Sequence, residues 1–416
     1  MGLISGKRKE FYSSVSRSNF SNNLISIFVV SVMALLYISH MMDTNVNTEY
    51  DSLKKDKYTR LAAKNMGSDK TDSRVREMIR KFGKINKNFI LGDSSGDKKE
   101  SEIGNNNHVN KEFLRFENIV SFGDAASDIG NYLKISTNAK KNRGAKSENL
   151  NRANRVSYYN NGRFSEGKIW IDHLGDAFGS KVTSYAVGYS TVNNEWITNG
   201  SQVKNGKKNK SIVPGLRQQV ESYAMGAVEH RLNPNNTLYT IWCGANDLAG
   251  ISIPEWHASK PKATISDVLD DMIDSIKILI NHPNVRAKNI LFLSVLPADL
   301  APVLKEMPKF VENAIKTNTA KLLELYPKKL SQFENDKSLN FAYYNSYKFL
   351  SEMFASSSSS KYGIKYNTLP CFTSPSRRCT SPHNFFWYDN SHVGSTTHLY
   401  MALDIIKRQY RNSVVG

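Results

Sequence analysis

Near the C-terminus of this 416-residue chain, an aspartate and a histidine stand three positions apart. At this spacing Asp389 and His392 can share one loop, in which the carboxylate accepts a hydrogen bond from the imidazole N–H and fixes its tautomer. Acyl transfer needs such a pair, together with a nucleophile and with donors for the developing oxyanion. The alternative is a surface-loop histidine, and the spacing favours a histidine of a catalytic site.

Three further short motifs stand upstream, each directly after an apolar run. They are FGDAASDIGN at 122–131, YAVG at 185–188 and GAND at 244–247. Small and polar residues at the ends of buried strands are typical of sites in sheet proteins, because the loops there are where ligands bind. The motifs therefore have to be placed on the elements around them.

Short apolar runs alternate with longer helical patterns from about Phe116 onward. The runs predict strands at 118–124, 182–188, 237–243, 289–296 and 340–344, and the periodic segments predict helices at 216–231, 266–281 and 311–333. Ser266 is the predicted cap of the second helix. Strands that alternate with helices indicate an α/β fold, with helices on both faces of a parallel sheet.

The motifs taken together resemble the conserved blocks of the SGNH/GDSL family of ester hydrolases, in its lipase-type branch. The matching blocks, in chain order, are FGDAASDIGN at 122–131, NGRFS at 161–165 with WID at 170–172, YAVG at 185–188, GAND at 244–247 and FWYDNSH at 386–392. The resemblance covers roughly 116–410. It implies a three-layer α/β/α sandwich with a parallel, flavodoxin-like sheet, no cofactor and no metal.

The resemblance also assigns roles. It makes Asp389 the orienter and His392 the base, and it gives the oxyanion hole the backbone N–H groups of Ala125 and Gly188 and the side-chain amide of Asn246. Each assignment has a plainer alternative, because Gly188 also suits a turn and Asn246 with the following aspartate also suits a helix cap.

Ala125 occupies the position at which the family keeps its nucleophilic serine. An alanine has no side-chain oxygen, so it cannot attack an ester. Ser127 matches the family's second serine and should point to another side. In a dissected serine protease, losing the nucleophile costs on the order of 10⁶ in turnover while roughly 10³ over water remains. Two explanations stay open: a natural non-hydrolytic relative, or a serine altered only in this copy.

The chain has three cysteines, which limit the disulfides and metal sites that it can form. Cys243 lies in an apolar run and is predicted to be a buried thiol, and no histidine spacing accompanies the cysteines to suggest zinc. Cys371 and Cys379 are close together and could pair in a secretory compartment. They resemble the cysteine pair that precedes the final block in lipase-type members.

The N-terminus predicts a membrane segment. Residues 24–38 are apolar, with basic residues before them and acidic residues after them. We expect a cytoplasmic tail at 1–23, a signal anchor at 24–42, a polar and partly disordered stem at 43–115, and a hydrolase-like domain at 116–416. A cleaved signal peptide is the rival interpretation. The globular domain would lie in the secretory lumen or outside the cell, where Asn199, Asn209 and Asn235 are glycosylation sequons.

The formal net charge of +18 raises the question of a nucleic-acid partner. The basic residues are dispersed, and no nucleic-acid recognition motif accompanies them, so we expect no nucleic-acid partner. The predicted partners are an ester-bearing small molecule, lipid or glycan, and a membrane held through the N-terminus. Three hypotheses follow: an ester hydrolase, a binding module that keeps the pocket without turnover, and a structural protein that works through its basic stem.

Overall fold

A computed structural model describes residues 116–142, 159–197, 203–204, 207–208, 213–252, 263–355, 360–374 and 377–410. The predicted tail, anchor and stem lie outside these residues, as do Asn199 and Asn209. Among the helices within the described ranges, none is long and apolar enough to cross a membrane.

A five-stranded parallel sheet forms the centre of the domain. Its strands are β1 (Asn118–Gly123), β2 (Lys181–Ser184), β5 (Thr237–Trp242), β6 (Asn289–Leu293) and β7 (Asn340–Tyr344). Across the sheet their order is β2-β1-β5-β6-β7. Every residue of β5 and β6 is buried, because both faces of the sheet are covered. The α/β prediction is confirmed.

The predicted strand at 182–188 is only half right. β2 ends at Ser184, where the Ser184 hydroxyl accepts a hydrogen bond from the Ala186 N–H. The chain then crosses the end of β1, and the Val187 N–H donates to the Gly123 carbonyl. Residues 185–188 therefore form a loop at the carboxyl edge of the sheet, where a site residue belongs.

Eight helices are described. They are α1 (Asn131–Asn142), α2 (Trp170–Phe178), α3 (Leu216–His230), α4 (Ala245–Ser252), α5 (Ile265–Asn281), α6 (Lys309–Glu334), α7 (Ser346–Phe354) and α8 (Ser395–Gln409). The predicted cap of α5 was wrong by two residues, because the Thr264 hydroxyl accepts from the Asp267 N–H and the Asp267 carboxylate accepts from the Thr264 N–H.

Two separate apolar cores lie on the two faces of the sheet. Helices α3, α5 and α6 pack on one face, where they meet Phe122 and Ile241. Helices α2, α7 and α8 pack on the other, where they meet Ile119 and Trp242. Alternate strand residues thus point to opposite helix layers, which gives the three-layer sandwich.

A small region of short strands follows α7 and leads into the Asp389–His392 loop. It comprises β8 (Tyr366–Pro370), β9 (Phe372–Ser374), β10 (Arg377–Arg378) and β11 (Phe385–Trp387); two further short strands, β3 (Val203–Lys204) and β4 (Lys207–Lys208), pair elsewhere. β8 pairs with β11, β9 pairs with β10, and a disulfide joins Cys371 to Cys379. This region fixes the path of β11 and therefore the start of the Asp389–His392 loop.

Candidate active site

The loop between β11 and α8 brings Asp389 and His392 into direct contact. His392 Nδ1 lies 2.9 Å from Asp389 Oδ1 and 2.8 Å from Oδ2. The loop is closed on itself, because the Tyr388 N–H donates to the His392 carbonyl and Trp387 bridges to Val393. With Nδ1 turned to the carboxylate, the other ring nitrogen is the atom left to exchange protons with a ligand.

Asp389 is held by more than the histidine. Its Oδ1 accepts the backbone N–H groups of Ser391 and His392, and its Oδ2 accepts the Tyr159 hydroxyl at 2.8 Å. Burial raises the pKa of this carboxyl, but the charge and hydrogen bond of His392, aided by these other donors, outweigh burial and lower the pKa to about 2. Asp389 is therefore ionised at neutral pH and suited to orient an imidazole.

The ring of His392 lies against an aromatic wall. The Phe164 ring centroid is 4.8 Å from that of His392, and Phe164 also meets Tyr159, Tyr132 and Tyr189. Burial alone lowers the pKa of His392, yet the neighbouring carboxylate of Asp389 raises it above the ordinary value, with a smaller contribution from Asp124. The wall excludes water from one side of the base.

Ala125 begins a short 3₁₀ turn, Ala125–Ser127, directly after β1. The preceding Asp124 caps this turn by accepting the Ala126 N–H at 3.1 Å. Burial raises the pKa of Asp124 to about 6, while the hydrogen bond from the Ala126 N–H and the charge of His392 act to lower it. Ala125 itself is buried and carries no side-chain oxygen, and its role as the nucleophile position stays a prediction.

The loop at 188–192 is fixed at three points. The Gly188 N–H donates to Asp128 Oδ2 at 2.7 Å, and the Asn246 side-chain amide donates to the Ser190 carbonyl at 2.8 Å. At its far end, the Val192 N–H donates to both oxygens of Asp247 at 3.1 Å. Asp247 thereby supports the loop, and burial raises its pKa to about 8.

The bond from Gly188 to Asp128 bears on the expected oxyanion hole. The Gly188 N–H, which was expected to donate to the oxyanion, donates to the carboxylate of Asp128. The Asn246 side-chain amide donates to the Ser190 carbonyl. Both oxyanion roles stay predictions. The structure does explain the glycine itself, because a Cβ at Gly188 would lie 2.2 Å from the Cζ atom of Phe164.

The other residues singled out by the sequence make contacts that stabilise the fold. Asp172 forms a two-point ion pair with Arg163. Ser127 is fully buried, and its hydroxyl accepts the Trp170 indole N–H. Cys243 is buried, as predicted.

Sequence reasoning assigned no role to Tyr159, Phe164 or Asp128. Asp128 and Phe164 stand inside recognised blocks, and the four backbone N–H groups that Asp128 accepts are visible only in the fold. Tyr159 lies two positions before the NGRFS block, and nothing in its sequence surroundings points to Asp389. Its contact joins residues 230 positions apart.

The sequence profile of a family described as GDSL-like lipase/acylhydrolase matches residues 119–405. The thermolabile hemolysin of Vibrio parahaemolyticus is 22% identical over 304 residues; the match covers 68% of this chain but only 62% of the hemolysin.

Among solved structures, a G-D-S-L family lipolytic protein of Veillonella parvula is 13% identical with a TM-score of 0.35, covering 70% of this chain and 98% of that one. A carbohydrate acetylesterase of Sinorhizobium meliloti is 13% identical with a TM-score of 0.37, covering 70% and 97%. An aryl esterase of M. smegmatis is 14% identical with a TM-score of 0.36, covering 70% and 97%.

Proposed function

Because the chain belongs to the GDSL-like lipase/acylhydrolase family, we propose that it binds acyl or acetyl esters in the cleft around His392 and turns them over poorly. The observation that carries this proposal is the direct contact of Asp389 with His392, which supplies an oriented base, while Ala125, at the position that the resemblance gives to the nucleophile, has no side-chain oxygen. Without an attacking oxygen, the pair can act only as a general base toward water, which leaves a small residue of catalysis.

Lipid esters are the first ligands to test. The name of the Vibrio relative denotes a protein that lyses red cells, which favours acyl esters of membrane lipids over acetylated carbohydrates. The aromatic wall of Phe164, Tyr132 and Tyr189 supports this choice, because aromatic rings beside the base offer apolar surface to an acyl or aryl group.

A second candidate function is an active ester hydrolase whose serine is absent only in this copy. The observation in its favour is the number of donors to the orienting carboxylate, since Asp389 accepts hydrogen bonds from Tyr159, Ser391 and His392. Burying a charged group costs folding free energy unless every polar atom of the network has a hydrogen-bond partner.

We also propose that the chain is a single-pass membrane protein whose globular domain lies in the secretory lumen or outside the cell. The apolar segment at 24–38 supports this, as does the disulfide between Cys371 and Cys379, because disulfides persist in oxidising compartments. Protease added to sealed vesicles should leave the domain intact, and Asn235, which is exposed, should carry a glycan. A protease-accessible domain without glycan would contradict this placement.

The test of ester binding uses the unmodified full chain. A short-chain aryl ester should saturate the protein, seen as perturbed NMR signals of the His392 ring, while the ester is recovered intact after the time in which an active esterase consumes it. Phe164→Ala should weaken binding several-fold by removing the wall beside the base. Rapid, His392-dependent consumption of the ester, or no effect on the His392 signals at any ester concentration, would each contradict the proposal.

A further inference from the structure

Tyr189 lies in a backbone conformation that normally belongs to glycine. It is the third residue of a tight turn, which the Ser190 N–H closes by donating to the Val187 carbonyl at 3.1 Å, and its φ is 69°. A positive φ at this position of a turn favours glycine, because a Cβ crowds the following carbonyl oxygen. For a bulky side chain this conformation is an outlier. The turn therefore carries strain that a glycine would remove.

The hydrogen bonds that hold this turn do not require a side chain at position 189. The Gly188 N–H donates to Asp128 at 2.7 Å, and the Ser190 carbonyl accepts the Asn246 side-chain amide at 2.8 Å. These bonds hold the backbone on both sides of Tyr189 without involving the tyrosine itself. Strained residues persist where the surrounding structure holds them, and they cluster at sites that clamp a ligand.

The Tyr189 ring belongs to an aromatic cluster that reaches the base. Its centroid lies 4.8 Å from that of Tyr132 and 5.7 Å from that of Phe164, and the Phe164 centroid lies 4.8 Å from that of His392. The rings of Tyr132 and Phe164 also contact each other. All four residues are half-buried, so each keeps part of its surface open. The cluster therefore begins at His392 and continues past Phe164 to Tyr189.

Building on the proposed binding of esters, we propose that Tyr189 determines the acyl specificity of the site. Its ring contacts the far part of a medium or long acyl chain, so the site prefers such esters to acetyl esters. A chain whose carbonyl lies beside His392 has to extend past Phe164 before it meets Tyr189, and an acetyl group is too short to do so.

The acyl part of a lipid ester is the part that suits this surface. Its chain is apolar, whereas the alcohol part of a lipid carries polar groups, and aromatic rings gain by covering apolar area. Contact between the chain and the Tyr189 ring offsets the strain of the turn, which glycine would avoid at the cost of this contact.

The experiment titrates the full chain with methyl acetate, methyl butyrate and methyl octanoate and follows the NMR signals of the His392 ring. Methanol is the smallest alcohol part, so differences in affinity report the acyl chain. Octanoate should bind more tightly than acetate. Tyr189→Gly should weaken octanoate about tenfold and acetate less than about twofold, because only the longer chain loses contact area. Tyr189→Phe should keep the affinity for octanoate, since the ring remains.

Arg231 provides a matched control for the backbone. It also has a positive φ, 45°, but it is the residue that follows α3. At both positions the glycine variant should melt at a higher temperature than the alanine variant, by roughly 2 °C, because glycine adopts this φ without strain. Only at position 189 should the affinity for methyl octanoate change. Tyr189→Gly and Tyr189→Ala both remove the ring, so either variant that circular dichroism shows to be folded gives the answer.

Three results would overturn this inference and leave ester binding itself standing. In the first, Tyr189→Gly binds methyl octanoate as tightly as the parent or more tightly. In the second, the variant loses the same factor for acetate and for octanoate, which would give the tyrosine a general structural role. In the third, octyl acetate binds tightly and depends on Tyr189, which would assign the ring to the alcohol part. If no ester of either series perturbs the His392 signals, the proposed function fails and this inference fails with it.

Discussion

The hydroxyl of Tyr159 donates a 2.8 Å hydrogen bond to Oδ2 of Asp389, the same oxygen that lies 2.8 Å from His392 Nδ1. The tyrosine ring is held in turn by Phe164, Phe372 and Tyr388, at centroid distances of 5.4 to 6.0 Å. The orientation of the base therefore depends on a residue outside the loop that carries it.

Tyr159→Phe should strengthen the electrostatic effect of Asp389 on His392. Removing the hydroxyl takes one donor from Oδ2, while the Ser391 and His392 N–H groups still hold Oδ1. More of the carboxylate charge then acts on the imidazole, so the pKa of His392 should rise. The pKa is measured by NMR titration of the histidine ring in the unmodified background. Tyr410→Phe is the matched control, because the buried Tyr410 hydroxyl has no hydrogen-bond partner among the described residues. An unchanged His392 pKa in Tyr159→Phe would show that the tyrosine does not position the pair.

Gly188→Ala should disturb the base through the aromatic wall. The new methyl group would lie 2.2 Å from Phe164 Cζ, and that ring is confined by Tyr159, Tyr189 and His392. The overpacking should cost about 1–3 kcal/mol of unfolding free energy, measured by urea denaturation. Adding Phe164→Leu should recover part of that loss. If the Gly188→Ala, Phe164→Leu double variant loses as much unfolding free energy as the two single variants lose together, the clash with Phe164 is not the cause of the loss.

Two buried histidines should make the fold sensitive to acid. Burial lowers the pKa of His173 to about 4 and that of His398 to about 3, while the unfolded chain protonates near the ordinary value of 6.5. The unfolded state therefore binds more protons below about pH 6.5, and stability falls as the pH drops toward 4. The loss is on the order of 3 kcal/mol per histidine by pH 4. His398→Leu should flatten this pH dependence, and an unchanged slope between pH 4 and 6.5 would contradict it.

The disulfide should stabilise the region that leads to Asp389. Cys371 and Cys379 are eight positions apart, and the backbone N–H groups of Cys371 and Phe372 donate to the carbonyls of Trp387 and Tyr388. Replacing both cysteines by serine should lower the unfolding free energy by about 2.5 kcal/mol, from loop entropy alone. Thermal unfolding with and without reductant measures this. A reductant that lowers the melting temperature of the serine variant as much as that of the parent would point to another cause.

The sheet and its helices were predictable because buried strands and amphipathic helices carry periodic patterns over many residues. The pairing of Asp389 with His392 was predictable for a similar reason, since both stand in one short loop. The bond between Gly188 and Asp128 was not, because it joins residues 60 positions apart and depends on how two loops cross the end of β1. Tyr159 left no local pattern at all.

We propose that the cleft lacks the attacking oxygen of an esterase because Ala125 stands at the nucleophile position, while Asp389 and His392 keep an oriented base. Ala125→Ser adds one oxygen at the start of the turn Ala125–Ser127, and Asp389 already orients His392 as a base. Hydrolysis of short-chain aryl esters by the full chain should rise from background to a measurable rate, by at least roughly 10³-fold, and should vanish again when His392→Ala is added. A folded Ala125→Ser protein that stays at background with acetyl, butyryl and longer acyl esters would contradict the claim, as would equal, His392-dependent hydrolysis by the unmodified chain.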